Sequence, residues 1–424
     1  MHKIVRREIF DDVVLHMEKP EITLITGARQ VGKTVLMNMV KEWLINEKNI
    51  PEDNVLSFNL DLIKDWEFFQ DQSRFIEFLR GKSENKKLYV FVDEAQRVNE
   101  TGRFFKGIYD SNLPVKLILT GSSSFELKTK LKESLSGRKR VFPLYTFSFK
   151  EYLEAKHKNL SAALSGLSSI PDLKRKEMVS CFREYALWGG YPRVVFGDDK
   201  EEKLHILNEI YSSYIEKDIV GLLDIRNKLS FSNMVKLLAG QIGQLVNISE
   251  LANSLNLDRA TCERYIRTLT DTFVINPILP YFKNSRQEII KQNKIYFLDT
   301  GLRNYSVENF STFAGRADAG LLIENAIFKE LLISLGTFDK IRFWRTKPGA
   351  EVDFLIINDK RILPVEIKTA IKKPTIPSGL RSFIEKYKPE KALVVGLGIF
   401  NQSVKVSGTT VYFIHPYELP KFFK

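Results

Sequence analysis

Gly27 to Thr34 reads GARQVGKT, the spacing G-x-x-x-x-G-K-[ST], and it follows the apolar run Ile22–Thr26. A loop of this kind, set between a strand and a helix, wraps phosphates with its backbone N–H groups, and the helix N-terminus adds partial positive charge. Lys33 is placed to reach the β- and γ-phosphates, and the Thr34 hydroxyl to ligate Mg²⁺. Gly27 and Gly32 permit backbone angles and a close approach that a Cβ would block. The expected cradle is therefore Gly27, Ala28, Arg29, Gln30, Val31, Gly32, Lys33, Thr34 and Val35, with ATP and Mg²⁺ as its cofactors.

A second element supports the first. Leu88–Glu94, LYVFVDE, is an apolar strand tipped by two acids. Carboxylates at the C-terminal end of a strand lie where α/β sheets bind ligands. Asp93 would hold Mg²⁺ and Glu94 would polarise the attacking water. A third strand, Lys116–Thr120, ends in Gly121-Ser122-Ser123-Ser124. Ser122 there either senses the γ-phosphate or caps the following helix. Arg138, in LSGRKR, is either an arginine finger acting on a neighbouring subunit's nucleotide or an anchor for a carboxylate of its own domain. Arg29 is an alternative to it within the loop.

Near the other end of the chain, Glu324 sits in the helical pattern LLIENAIFKELL, Asp353 in EVDFLI, and Glu366 and Lys368 in PVEIK. In a hairpin Asp353 and Glu366 converge, and period-2 alternation puts Glu366 and Lys368 on one strand face. Carboxylates and water suit Mg²⁺, and a lysine beside them would orient water or steady a phosphate. The competing reading is a local ion pair on a solvated strand.

These residues need scaffolds. Up to about residue 147, short β-rich runs alternate with helical patterns, which implies a parallel sheet covered by helices. From 148 to 235 the period turns helical, as in EYLEAKHKNLSAAL. From 236 to 310, the helix ISELANSL, a tight turn, a second helix from Arg259 N-capped by Asp258, and then extended runs read as a winged-helix-like segment. Arg259, Arg264 and Arg267 on that second helix would meet DNA phosphates or base edges, or the module simply packs against the nucleotide domain. Residues 311–424 form a second α/β unit. The fold class expected is α/β: a P-loop parallel-sheet domain, a helical lid, a winged-helix-like segment and a C-terminal α/β domain.

Composition narrows the class. The chain has 424 residues with 44% hydrophobic and 27% charged, which is globular composition. Cys181 and Cys262 are its two cysteines, which excludes a disulfide scaffold and a cysteine-based zinc site. No apolar run approaches the ~18 residues of a spanning helix, and a cytoplasmic protein without membrane partners is expected. The net charge is +12. Residues 311–424 carry 18 Lys and Arg against 11 Asp and Glu, so +7 of the excess lies there, where a polyanion surface is expected.

GARQVGKT, FVDEAQR, ILTGSSS, LSGRKRVFPLYTFSFKEYL, ALWGGYP and SSYIEKDI, in this order, resemble the archaeal and bacterial AAA-type ATPases that carry a DUF4143 C-terminal region. The resemblance implies ATP hydrolysis by Lys33, Thr34, Asp93 and Glu94, with motion passed through the lid. The acids of the last unit resemble the PD-(D/E)xK nuclease superfamily, although Val352 stands where its pattern has proline. The leading expectation is nucleotide-gated action on DNA through a restriction-endonuclease-like domain. The rival is an ATP-gated switch for a protein partner, with that domain as an inert docking module. A homo-oligomer is expected if Arg138 acts in trans.

Overall fold

In the computed structural model, the described residues are 4–84, 86–122, 135–166, 171–219, 228–281, 292–359, 361–369, 371, 373–398 and 402–423. Helix α1 (Phe10–Leu15) leads into β1 (Ile22–Gly27), α2 (Lys33–Asn46), β2 (Val55–Asn59), α3 (Ile63–Phe68), α4 (Gln72–Ser83), β3 (Leu88–Asp93), α5 (Thr101–Asp110), β4 (Val115–Ser122) and β5 (Lys139–Pro143). The five strands pair in parallel in the order β2-β3-β4-β1-β5. β1 and β3 are buried at every position, as continuous apolar runs covered by helices on both faces must be. The fifth strand, KRVFP, escaped the sequence reading because its burial alternates irregularly along an edge.

Helices α6 (Phe149–Lys156), α7 (Lys158–Gly166), α8 (Asp172–Trp188), α9 (Pro192–Phe196) and α10 (Lys200–Ile210) follow, with a π-helical continuation Tyr211–Ile219, then α11 (Lys228–Gly240). A capping box starts α6, where Ser148 Oγ accepts from Glu151 N and Glu151 Oε2 accepts from Ser148 N. Next come β6 (Leu245–Val246), α12 (Ile248–Ser254), α13 (Arg259–Asp271), β7 (Ile275–Ile278), β8 (Asn293–Phe297) and α14 (Thr300–Ser306). The small antiparallel sheet has the order β6-β8-β7. Asp258 caps α13 through Thr261 N at 2.8 Å, as expected. The turn Asn284-Ser285-Arg286 lies outside the described residues.

The last unit is α15 (Ala319–Ser334), β9 (Lys340–Arg345), β10 (Glu351–Asn358), β11 (Arg361–Ile367), α16 (Ser378–Tyr387), β12 (Lys391–Val395), β13 (Gln402–Val406) and β14 (Thr409–Ile414). Its mixed sheet runs β13-β14-β12-β11-β10-β9, with β11, β12 and β14 mutually parallel. Beyond β7, Tyr281 N donates to Phe343 O and Phe343 N to Leu279 O, so the small sheet continues onto the edge strand β9. Strand β8 divides two cores by alternation. Ile295 and Phe297 pack in the core shared with β1 and α2, whereas Tyr296 packs with α15 and β10. No helix among the described residues is long and apolar enough to cross a membrane.

Candidate nucleotide site and the C-terminal carboxylate cluster

β1 ends at Gly27, whose position has no room for a side chain: a Cβ there would lie 2.2 Å from Leu144 O. Gln30 and Gly32 both take positive φ, and Gly32, at +96°, is the N-cap of α2. The loop thus turns its backbone toward the space above the sheet at the N-terminus of α2. Lys33 is buried, and its Nζ donates to Gly27 O at 3.2 Å and Ala28 O at 2.9 Å. Burial lowers its pKa, while the Glu94 and Asp93 carboxylates work in the opposite direction.

Thr34 Oγ1 donates to Asp93 Oδ2 at 2.7 Å. Asp93 is buried, and its other oxygen accepts from Thr120 Oγ1 and from Glu94 N. Glu94 follows in left-handed backbone at φ 56°, and Gln96 Nε2 donates to its carboxylate. The sequence-predicted residues Lys33, Thr34, Asp93 and Glu94 are therefore brought together at one strand edge. The set fits a nucleotide with Mg²⁺: Thr34 and Asp93 present hard oxygen atoms that would hold such an ion, directly or through water. Among the described residues, no group of three or more His, Cys, Asp and Glu is placed to hold a metal ion.

Other expected residues are dispersed. Ser122 ends β4 with its backbone in register with Gly27, while Ser123 and Ser124 lie outside the described residues. Arg29 and Val35 are exposed on the loop and the first turn of α2. Arg138 stands at the opposite end of the sheet, where its carbonyl accepts from Ile22 N and its Nε reaches Asp110 Oδ1 at 2.8 Å. Two arginines at the loop were not foreseen. Arg7 is buried, donating to Val31 O at 2.8 Å and Tyr145 O at 2.6 Å and pairing with Glu151 at 3.0 Å. Arg193, on α9, donates to Gln30 Oε1 at 3.2 Å and to Glu209 at 2.8 Å. Arg193 directly follows WGGYP, and that adjacency was the available signal; nothing local marks Arg7.

The C-terminal acids also converge, from α15, β10 and β11. Phe354 faces Val365 in the hairpin, so Asp353 lies beside Glu366, and Asp353 Oδ2 accepts from Ile367 N at 2.7 Å. Lys368 Nζ donates to Glu366 Oε1 at 2.7 Å, while Glu366 Oε2 has no hydrogen-bond partner among the described residues. Glu324 Oε1 accepts from Tyr296 OH at 2.5 Å. Burial, then the Asp353 charge, pushes Glu324 up to about 8 and Glu366 up to about 7; burial also raises Asp353. Lys294 of β8 enters the same space, 2.5 Å from Glu351 Oε1 and 3.9 Å from Glu324 Oε1. Burial disfavours its charge, yet Glu324, Asp353 and Glu351 outweigh that and raise its pKa. Tyr296, Glu351 and Lys294 were not foreseen. With an ammonium already inside it, this arrangement does not fit a resident divalent ion.

Three family models match in sequence: an AAA domain over residues 19–153, a domain of unknown function, DUF8612, over 180–312, and another, DUF4143, over 319–417. An uncharacterized protein of Haemophilus influenzae is 25% identical over 425 residues, covering 97% of each chain. One of Mycobacterium tuberculosis is 26% identical over 384 residues, covering 89% of this chain and 77% of its own. Among solved structures, the Aeropyrum pernix ORC1 protein in complex with DNA aligns with a TM-score of 0.31 and 11% identity, over 73% of this chain and 94% of that one. Cdc6p from Pyrobaculum aerophilum aligns at 0.27 and 11%, over 76% and 93%. The phosphate loop and the acid-tipped strand beside it fall within the region that matches the AAA domain model, and Glu324, Asp353, Glu366 and Lys368 within the region that matches DUF4143.

Proposed function

We propose that the chain binds and hydrolyses ATP with Mg²⁺, and that its nucleotide state controls its hold on nucleic acid. The observation that carries the first part is the 2.7 Å contact of Thr34 with Asp93 beside the buried Lys33. Lys33 exchanges its loop carbonyls for β- and γ-phosphate oxygens, which are stronger acceptors for an ammonium. Thr34 and Asp93 would hold Mg²⁺, which when bound neutralises phosphate charge. Glu94, once released by Gln96, orients the attacking water. Arg193 touches the loop from the lid, so loop and lid respond together.

The nucleic-acid part is supported by a winged-helix-like order, α11-β6-α12-α13-β7-β8, whose α13 exposes Arg259, Arg264 and Arg267. Arg259 is partly engaged by Glu263 at 2.8 Å, which leaves the other two as the stronger phosphate contacts. The C-terminal unit adds its +7 charge. Its helix acid and paired strand acids favour a nuclease-like ancestry, used here as a binding platform. The deciding experiment measures ATP turnover and DNA affinity together. We expect DNA to change turnover, ATP to change DNA affinity, and affinity to fall steeply with salt. Turnover and nucleotide-dependent behaviour indifferent to single- and double-stranded DNA would overturn the nucleic-acid reading.

A further inference from the structure

The carboxylate cluster of the last unit is closed by a residue from outside that unit. Lys294 lies on β8, and alternation along the strand turns Lys294 and Tyr296 to the same face, against α15 and β10. Both reach Glu324: Tyr296 by a 2.5 Å hydrogen bond, and Lys294 at 3.9 Å while it contacts Glu351 at 2.5 Å. The strand is held in place, since the Asn325 side chain accepts from Phe297 N and donates to Phe297 O at 2.9 and 2.7 Å. The Lys294 side chain is 4% exposed, against 43% for Lys368, which pairs with Glu366 two residues before it. A buried ammonium beside acids is a compensated charge; removing it leaves the acids close together with that compensation gone.

We propose that Lys294 is the resident cation of this cluster, excluding Mg²⁺ and Mn²⁺ from Glu324, Glu351 and Asp353 while β8 is docked on α15. A divalent ion needs several oxygens within about 2.0–2.6 Å. Here the ammonium occupies the approach to Glu351, and the Tyr296 hydroxyl uses one Glu324 oxygen. The β7–β8 hairpin thus keeps the acids neutralised, and metal enters only where that lysine is withdrawn. This rests on reading the acids as a cation site, and it separates the cluster from the Mg²⁺ expected at Thr34 and Asp93.

The test is Mn²⁺ uptake by the nucleotide-free full chain, followed by electron paramagnetic resonance of the free ion, with folding checked by thermal melting. We expect no uptake by the wild type that depends on Asp353, judged against Asp353→Asn. Lys294→Met should take up about one further Mn²⁺ per chain, at least about tenfold more tightly than the wild type, and Lys294→Met/Asp353→Asn should lose it. Should Lys294→Met not fold, Lys294→Gln gives the same reading while keeping a polar head. Asp353-dependent uptake by the wild type, or folded Met and Gln variants that gain no Mn²⁺, would overturn the proposal. Wild-type ATP turnover with and without DNA judges the proposed function, so the two failures are told apart.

Discussion

Arg7 Nη1 donates to the carbonyl oxygen of Val31 across 2.8 Å, so an arginine near the start of the chain braces the phosphate loop from beneath. The same guanidinium pairs with Glu151 at 3.0 Å, both side chains 6% exposed. Arg7→Met leaves that carboxylate buried without its cation, and breaking such a pair costs about 3–5 kcal/mol. Urea unfolding should show the loss, and Arg7→Lys should recover little of it, because a compact ammonium lacks the rigid planar fork whose separate nitrogens reach Val31 O, Tyr145 O and Glu151. An unchanged urea midpoint would show that the brace contributes nothing.

At the loop, Lys33→Ala should weaken ATP binding by about ten- to a hundredfold, the worth of hydrogen bonds to charged groups. Glu94→Gln should retain binding and slow turnover by about 10²–10⁴, the usual range for a positioned base. Equilibrium nucleotide binding and single-turnover hydrolysis separate the two, and full turnover by Glu94→Gln would remove its assignment.

Arg138 is bonded to Asp110 within its own chain, at the sheet end away from the loop. Arg138→Ala should therefore fold with a loss below about 1 kcal/mol, as for other partly exposed pairs, and should keep turning over ATP. Lost turnover with intact ATP affinity, restored in mixtures with Glu94→Gln, would instead make it a finger acting between subunits.

Glu330 is half-buried beside α6, where its Oε1 accepts from Tyr185 OH at 2.7 Å and Phe149 N at 3.0 Å. Burial pushes it up to about 7, above its ordinary 4.5. The folded state therefore holds a proton the unfolded chain has released, and stability from this group falls as pH rises through that window. Glu330→Gln mimics the protonated form. Its stability relative to the wild type should rise between about pH 5 and pH 7 and level off above. Urea midpoints across pH 4.5–8 that run parallel for the two proteins would contradict this.

The phosphate loop and its acids were legible because each is a contiguous run whose placement follows from local backbone geometry. Glu324, Asp353, Glu366 and Lys368 were legible in order, and a hairpin was enough to bring the strand acids together. Arg7, Lys294 and Tyr296 were not. Strand β8 is buried on both faces after Asn293, so no period-2 signal marks which side receives a charge. The WGGYP motif proved to be a packing seam. A Cβ on Gly189 would lie 2.1 Å from Asp299 Oδ1, and one on Gly190 2.3 Å from Phe147 O.

Helix α15 passes from the carboxylate cluster to the helical region. Glu324 stands on its early turns, and Lys329, about 7 Å further along the axis, donates from Nζ to Thr146 Oγ1 and Phe147 O. Phe328 and Leu331 of this helix share one apolar core with Phe149, Phe182 and Tyr185 of the helical region. The chain is consequently a poor candidate for dissection. A fragment ending near residue 310 would leave the Phe149, Phe182 and Tyr185 surface stripped of its cover, and such a fragment should precipitate or bind chaperones rather than report on the nucleotide site. Function must be sought in the whole chain, where point substitutions can do what deletions cannot.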